Sequence, residues 1–164
     1  MGDLTTRIRH PDLMGRIMTP EAAAALIEDG MVIGMSGFTK SGDAKAVPLA
    51  LAARGHTDPF KITLITGASL GHEIDRKLTE AGVLARRMPF QADPTLRKAI
   101  NRGEVMFIDQ HLSETVEHLR SNQLGPVDYA IIEAAAITER PVAVDPVKET
   151  TSTRGSSASM APRR

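Results

Sequence analysis

The stretch MVIGMSGFTKSGDAKAVPLALAARGHTDPFKITLITGASLG, residues 31–71, decides the fold. It reads as strand, glycine-rich turn, helix, strand, glycine-rich turn. Residues 31–36 are mostly apolar, and residues 62–66 are β-branched at every position except Leu64, the composition that suits a pleated, buried surface. The first turn is GFTKSGD (37–43) and the second GASLG (67–71). Each follows a strand-like run and leads into a helix-like one. In open α/β sheets ligands bind outside the carboxyl ends of the strands, so these two turns are where chemistry is expected.

Outward from this stretch the alternation continues. Residues 1–16 are polar, carrying Arg7, Arg9, His10, Asp12 and Arg16, and fit a short helix or an arm. Thr19, Pro20 and Glu21 form a helix start, and Gly30 is a stop. Gly34 inside the first strand predicts a close approach to the backbone. After the first turn a helix ends near Gly55, and Pro48 predicts that its regular part begins only there. Residues 72–81 form a helix with Ile74, Leu78 and Ala81 at helical spacing, stopped by Gly82. Residues 83–90 are extended, with Pro89 near the end. Asp93-Pro94 starts a helix that ends at Gly103. Residues 105–108 read as a third strand, and Ser113 caps a helix with Glu114 in its first turn and Arg120 in its last. Residues 129–132 read as a fourth, buried strand. Strands alternating with helices predict an α/β fold, a mainly parallel open sheet with flanking helices. The strand order is not legible from the pattern.

Length and composition narrow the function. The 164 residues suit one domain. Basic and acidic side chains balance at 20 each, which argues against a general nucleic-acid binder. The absence of cysteine removes disulfides, thiolate metal sites and a cysteine nucleophile. The charged first 16 residues do not resemble a secretory signal, and no run approaches a membrane span. A cytoplasmic protein is expected.

The pattern changes at Arg140. From there on Leu, Ile, Phe and Tyr are absent, and Ser, Thr, Pro and Arg dominate. Five basic side chains face two acidic ones, so the segment has a positive surplus and the first 139 residues a negative one. Such a segment buries too little apolar surface to offset its ordering entropy. The expected organisation is an α/β domain over residues 1–139 and a disordered tail over 140–164, a pattern that a truncation or frameshift would leave.

Several short motifs compete for a catalytic reading. Gly37 and Gly42 have the spacing of a P-loop, but Asp43 and Ala44 stand where lysine and serine or threonine are needed. An acid at the phosphate-binding position inverts the charge, so the plain reading is a tight turn with Asp43 as a helix cap. Gly67-Ala68-Ser69-Leu70-Gly71 matches the G-x-S-x-G nucleophile elbow, again between strand and helix. A serine hydrolase built on Ser69 would take Asp93 or Asp109 as acid and His111 or His118 as base. Too little chain follows Ser69 to complete such a sheet, and the plain reading makes Ser69 a helix cap. His72-Glu73 begins a zinc motif that Arg76 breaks. Glu114 and His118 could hold a metal but read more simply as a solvated helical pair. Arg86, Arg87 and Arg97 could meet a carboxylate or phosphate, against a plain surface reading. Glu133 and Glu139 are carboxylates near the end of the last strand with no neighbouring support for a nucleophilic role.

Taken together, GMSGFTKSGDAKAVPLALA (34–52), ITLITGASLG (62–71), LTEAGVLARRMPFQADPTLRKAINRGEVMFIDQHLSE (78–114) and VDYAIIEAAAITE (127–139) resemble the N-terminal half of class I CoA-transferases. The branch is the acetyl-CoA hydrolase/transferase type that includes succinyl-CoA:acetate CoA-transferase. The resemblance implies one of two similar α/β halves. It also implies CoA transfer from an acyl-CoA to a short carboxylate such as acetate or succinate. In that chemistry a glutamate attacks the thioester, forms an acyl-glutamyl anhydride, and becomes a glutamyl-CoA thioester.

The implied nucleophilic glutamate belongs to the second half, and no residue here matches it. The resemblance therefore assigns no catalytic residue and no metal to this chain. It assigns substrate-binding positions at Gly37, Phe38, Ser69 and Gln91. It implies no bound cofactor, with coenzyme A or acyl-CoA as substrate, and homo-oligomers at full length. Ser69 would then donate a hydrogen bond to a carboxylate, an alternative to the nucleophile reading. A non-catalytic fragment that pairs its open sheet edge with a partner is the third reading.

Overall fold

The computed structural model describes residues 7–71 and 73–138, together with the backbone of Ala143–Val144. The helices are α1 (Pro11–Met14), α2 (Pro20–Ala25), α3 (Ala46–Gly55), α4 (Ile74–Glu80), α5 (Pro94–Asn101) and α6 (Leu112–Arg120). The strands are β1 (Val32–Met35), β2 (Ile62–Thr66), β3 (Leu84–Met88), β4 (Met106–Phe107), β5 (Tyr129–Ile131), β6 (Ala136–Ile137) and β7 (Ala143–Val144). The chain forms two units, Met18–Glu133 and a smaller one from Met1–Ile17 with Ala134–Arg164. In the described part of the smaller unit, β6 pairs antiparallel with β7, and Arg9 N–H donates to Ile137 O at 2.7 Å.

The larger unit is built on a five-stranded, wholly parallel sheet in the order β4-β3-β2-β1-β5. Parallel strands are normally buried, and Ile33, Ile62, Leu64 and Leu84 are fully or almost fully so. Their partners in the core are Ala24, Ile27, Leu51, Ala52, Ile74, Leu78, Leu96 and Ala99 of the helical layer. Helices α2, α3, α4 and α5 pack successively against one another. No described helix is long and apolar enough to cross a membrane.

The local signals act largely as expected. Thr19 accepts from Ala22 N–H and caps α2, and Asp93 accepts from Thr95 and Leu96 N–H and caps α5. Gly82, at φ 68°, follows α4. The run expected to be extended near Pro89 is indeed so and forms a strand, β3, between β2 and β4. Pro48 is not the start of the regular helix that the sequence predicts: α3 begins at Ala46, and Pro48 sits inside its first turn. There the missing N–H is one that the helix does not use.

Other expectations are corrected. The second helix stops at Ala25, short of Gly30. Arg54 Nη1 takes its terminal carbonyls, donating to Ala24 O at 2.8 Å and Ile27 O at 2.6 Å. The cap of α6 is His111, whose Nδ1 accepts from Ser113 N–H, and not Ser113. The strand at 129–131 is not buried: it pairs with β1 on one side, and Tyr129 is 39% exposed. A Cβ at Gly34 would meet only ordinary contacts, with Val127 Cγ1 at 3.4 Å. The expected disorder of residues 140–164 concerns positions outside the described residues, apart from the strand β7.

Arg54 also donates to Asp58 at 3.0 Å and lies over the Phe60 ring at 4.2 Å. It therefore joins α2, α3 and the entry to β2. Arg54→Ala is expected to cost about 1–3 kcal/mol, read as a lower urea midpoint with an unchanged m-value.

Candidate functional site

The strand order reverses at β1, which has β2 on one side and β5 on the other. The crevice outside the carboxyl ends at such a point is where ligands of open α/β sheets bind. The loops after β1, β2, β3 and β5 converge on this edge.

The first turn is closed by short-range bonds. Phe38 and Ser41 exchange two backbone bonds of 3.0 Å, and Ser36 Oγ donates to Gly42 O at 2.6 Å. Thr39 and Gly42 have positive φ values of 56° and 64°. Ser36 Oγ also accepts from Glu133 N–H at 3.0 Å, which ties the turn to the end of β5.

The two glycine turns form one structure. Thr39 N–H donates to Ser69 O at 2.8 Å, and Thr39 and Leu70 form a parallel bridge. A Cβ on Gly37 would stand 2.6 Å from Leu70 Cδ2, and one on Gly71 would collide with Thr39 O and stand 2.9 Å from Lys40 Cα. Glycine at these positions lets the two backbones touch. The result buries Ser69, at 5% exposure, and leaves Phe38 projecting at 63%.

Beneath Ser69 lies an ion pair with no exposure at the arginine. Arg87 Nε donates to Asp75 Oδ1 at 2.9 Å, and Nη2 to Asp75 Oδ2 at 3.2 Å. Nη1 donates to Thr66 Oγ1 at 2.8 Å and Met88 O at 2.6 Å, and Nη2 to Ala68 O at 3.3 Å. Asp75 Oδ2 accepts from Leu70 N–H at 3.4 Å, and the Thr66 hydroxyl donates to Ala68 O. The plain surface reading of Arg87 is overturned: its side chain is fully buried, and the carboxylate it meets is Asp75 of the same chain. No local sequence signal marks Asp75 or Thr66.

At the other side of the crevice Lys45 Nζ donates to Glu133 Oε1 and Asp43 O, at 2.6 and 2.7 Å. The Asp43 carboxylate is fully buried 3.6 Å away. The hydrogen bond that Lys45 donates to Glu133, with the charges of Asp43 and Glu133, raises Lys45 above the usual lysine value. Asp43 does not occupy the cap position of α3, which is Lys45 with no side-chain cap bond. Nor does Ser69 cap α4, whose cap residue is Glu73.

Of the four predicted substrate positions, Gly37, Phe38 and Ser69 lie in the joined turns. Gln91 lies beyond β3, half-buried, and its Oε1 is buried without a hydrogen-bond partner. A cavity of about 530 Å³ opens between the loops after β3 and β4, lined by Phe90, Asp109, Gln110, His111 and Leu112. A second, of about 210 Å³, lies between α6 and the sheet and reaches Gly67.

The hydrolase relay is not assembled among the described residues. His111 Nδ1 is bonded to Ser113 Oγ at 2.7 Å and His118 Nδ1 to Gln110 Oε1 at 3.2 Å. Asp93 caps α5. Ser69 is not among the residues with positive φ, so the turn lacks the strained backbone of a nucleophile elbow. No group of three or more metal-ligating side chains gathers among the described residues.

A profile of the acetyl-CoA hydrolase/transferase N-terminal domain matches residues 3–146. The chain belongs to the acetyl-CoA hydrolase/transferase family. It is 43% identical over 135 residues to a succinyl-CoA:acetate CoA-transferase of Clostridium kluyveri, covering 81% of this chain and 25% of that protein. It is 39% identical over 125 residues to a propanoyl-CoA:succinate CoA transferase of Escherichia coli K12, covering 73% and 25%. An acetyl-CoA hydrolase of Candida glabrata is 37% identical over 147 residues, covering 83% and 28%. The chain thus spans about a quarter of the length of these relatives. The fold recurs in an acyl-CoA transferase of E. coli O157:H7 solved as a thioester complex with CoA, with TM-score 0.53, 14% identity and coverage of 76% and 24%. It recurs also in the decarboxylase AibA/AibB, with TM-score 0.53, 23% identity and coverage of 65% and 43%.

Two outcomes are expected at this edge of the sheet. Gly71→Ala forces backbone against backbone and costs about 1–3 kcal/mol, seen as a lower midpoint in thermal unfolding. Lys45→Met is expected to lower stability: the exposed Lys45–Glu133 pair is worth below about 1 kcal/mol, and the change also removes a cation 3.6 Å from the buried Asp43 carboxylate. A raised lysine stabilises fully below its ordinary value of 10.5 and loses that contribution as pH rises through the folded value. Denaturation curves of Lys45→Met and the unsubstituted chain should therefore differ at pH 7 and converge above pH 10.5.

Proposed function

We propose that this chain is the carboxylate-binding N-terminal part of an acyl-CoA:carboxylate CoA-transferase that uses short acids such as acetate or succinate. The observation that carries the reading is the junction of the two glycine turns at the carboxyl ends of β1 and β2. It holds a buried serine hydroxyl beside an exposed phenylalanine, within a chain of this family. Ser69 donates a hydrogen bond to the substrate carboxylate, Gly37 lets the turns close, and Phe38 and Gln91 border the same cleft. Acyl-CoA and the short acid are the substrates, and no further cofactor is required.

The nucleophilic glutamate lies outside this chain. In the complete reaction its carboxylate attacks the acyl carbonyl and expels CoA thiolate, giving an anhydride. The thiolate then attacks the glutamyl carbonyl of the anhydride, releases the first acid, and leaves a glutamyl thioester for the incoming carboxylate. This chain contributes the walls of the carboxylate site and not the covalent step. Full-length assembly is a homo-oligomer in this reading.

The purified chain, supplied with succinyl-CoA and acetate, is expected to form no acetyl-CoA above the uncatalysed rate. Turnover that disappears in Ser69→Ala would contradict the absence of the covalent step. Fluorophosphonate labelling at Ser69 would favour the hydrolase alternative; the expected result is no labelling.

A further inference from the structure

We infer that Arg87 and Asp75 are positioning residues, which together set the conformation of the Ser69 turn. The inference rests on the reading of Ser69 as a carboxylate donor. The turn has little of its own to hold it: Gly67, Ala68 and Gly71 offer no polar side chain, and glycine widens the conformations open to the backbone.

Thr39 N–H holds Ser69 O and the Thr66 hydroxyl holds Ala68 O, and the ion pair adds side-chain anchors on both sides of Ser69. Asp75 Oδ2 accepts from Leu70 N–H, and Arg87 Nη2 donates to Ala68 O. These are the peptide groups of the residues on either side of Ser69. The same guanidinium holds Thr66 Oγ1 at the end of β2 and Met88 O at the end of β3. The carboxylate comes from the first turn of α4, just beyond the Ser69 turn. Every Arg87 donor therefore points at the turn, at a strand end that flanks it, or at Asp75.

Stability alone is a poor account of this arrangement. Taking two charges out of water costs as much as their attraction returns, and apolar residues of similar volume often do equally well. The family's chemistry would need a serine hydroxyl fixed to a fraction of an ångström, because small displacements of a binding group cost large factors in rate. A bidentate, fully bonded guanidinium delivers that fixity. Lysine, with a single charged nitrogen, cannot reach the same set of acceptors.

The test uses the full chain with Arg87→Lys and Asp75→Asn, two conservative changes, and Leu64 and Ile33 amides as internal references. Amide hydrogen exchange at Ser69 and Leu70 is expected to rise at least tenfold in both variants while the reference amides stay within twofold. In parallel, titration with acetate followed by the Ser69 amide resonance is expected to show affinity weakened roughly tenfold or more in Arg87→Lys. Unchanged turn exchange, exchange that rises equally at the reference amides, or acetate affinity equal to that of the unsubstituted chain would overturn the positioning role. Absence of any acetate response in the unsubstituted chain would instead contradict the carboxylate role of Ser69, and the exchange result alone would then decide whether the pair sets the turn.

Discussion

A guanidinium with all its donors satisfied and none of its surface in water holds together the edge of the sheet where the glycine turns meet. A buried charge is tolerated only when it is paired and hydrogen-bonded, and Arg87 meets that condition with Asp75, Thr66, Ala68 and Met88. The requirement binds elements distant in sequence. The ends of β2 and β3, the turn between β2 and α4, and the start of α4 cannot move independently without leaving part of the charge unsatisfied. The neighbouring hydrophobic core, from Ile33 and Leu64 to Ile74 and Leu78, supplies the bulk of the burial. The ion pair adds direction, which apolar contacts lack.

Close backbone approach is the second constraint. Gly37 and Gly71 let the turn after β1 and the turn after β2 share one surface. This explains two motif matches that would otherwise suggest unrelated chemistries. The spacing of Gly37 and Gly42 imitates a phosphate loop, and Gly67 to Gly71 imitates a nucleophile elbow. In the fold, Gly37, Gly67 and Gly71 serve the contact between turns, while Gly42, at φ 64°, shapes the first turn itself. The buried Asp43 stands where a phosphate would need positive charge.

Much of this was legible in the sequence, because local signals and the tertiary structure agree. Ile62–Thr66 is a strand as its β-branched run predicts, and Asp93-Pro94 opens α5 as its cap chemistry predicts. The two glycine turns fall at strand ends, and the quoted motifs indicated the family. What was not legible depends on distant partners. Residues 83–90 looked only extended, since Arg86 and Arg87 interrupt the apolar run; the second arginine is buried because Asp75, twelve positions earlier, meets it. Lys45 and Glu133 are 88 positions apart and had no shared signal. The apolar residues of β5 read as interior, yet the strand lies at the edge of the sheet, a matter of strand order that periodicity does not encode.

The chain carries about a quarter of the length of its relatives, and the role proposed for it is the recognition of a carboxylate at the joined turns. The most direct measurement is a crystal structure of the chain soaked in succinate. The account predicts a carboxylate within hydrogen-bonding distance of Ser69 Oγ, beside Phe38. Succinate bound elsewhere, with the Ser69 hydroxyl turned to a protein acceptor, would contradict it.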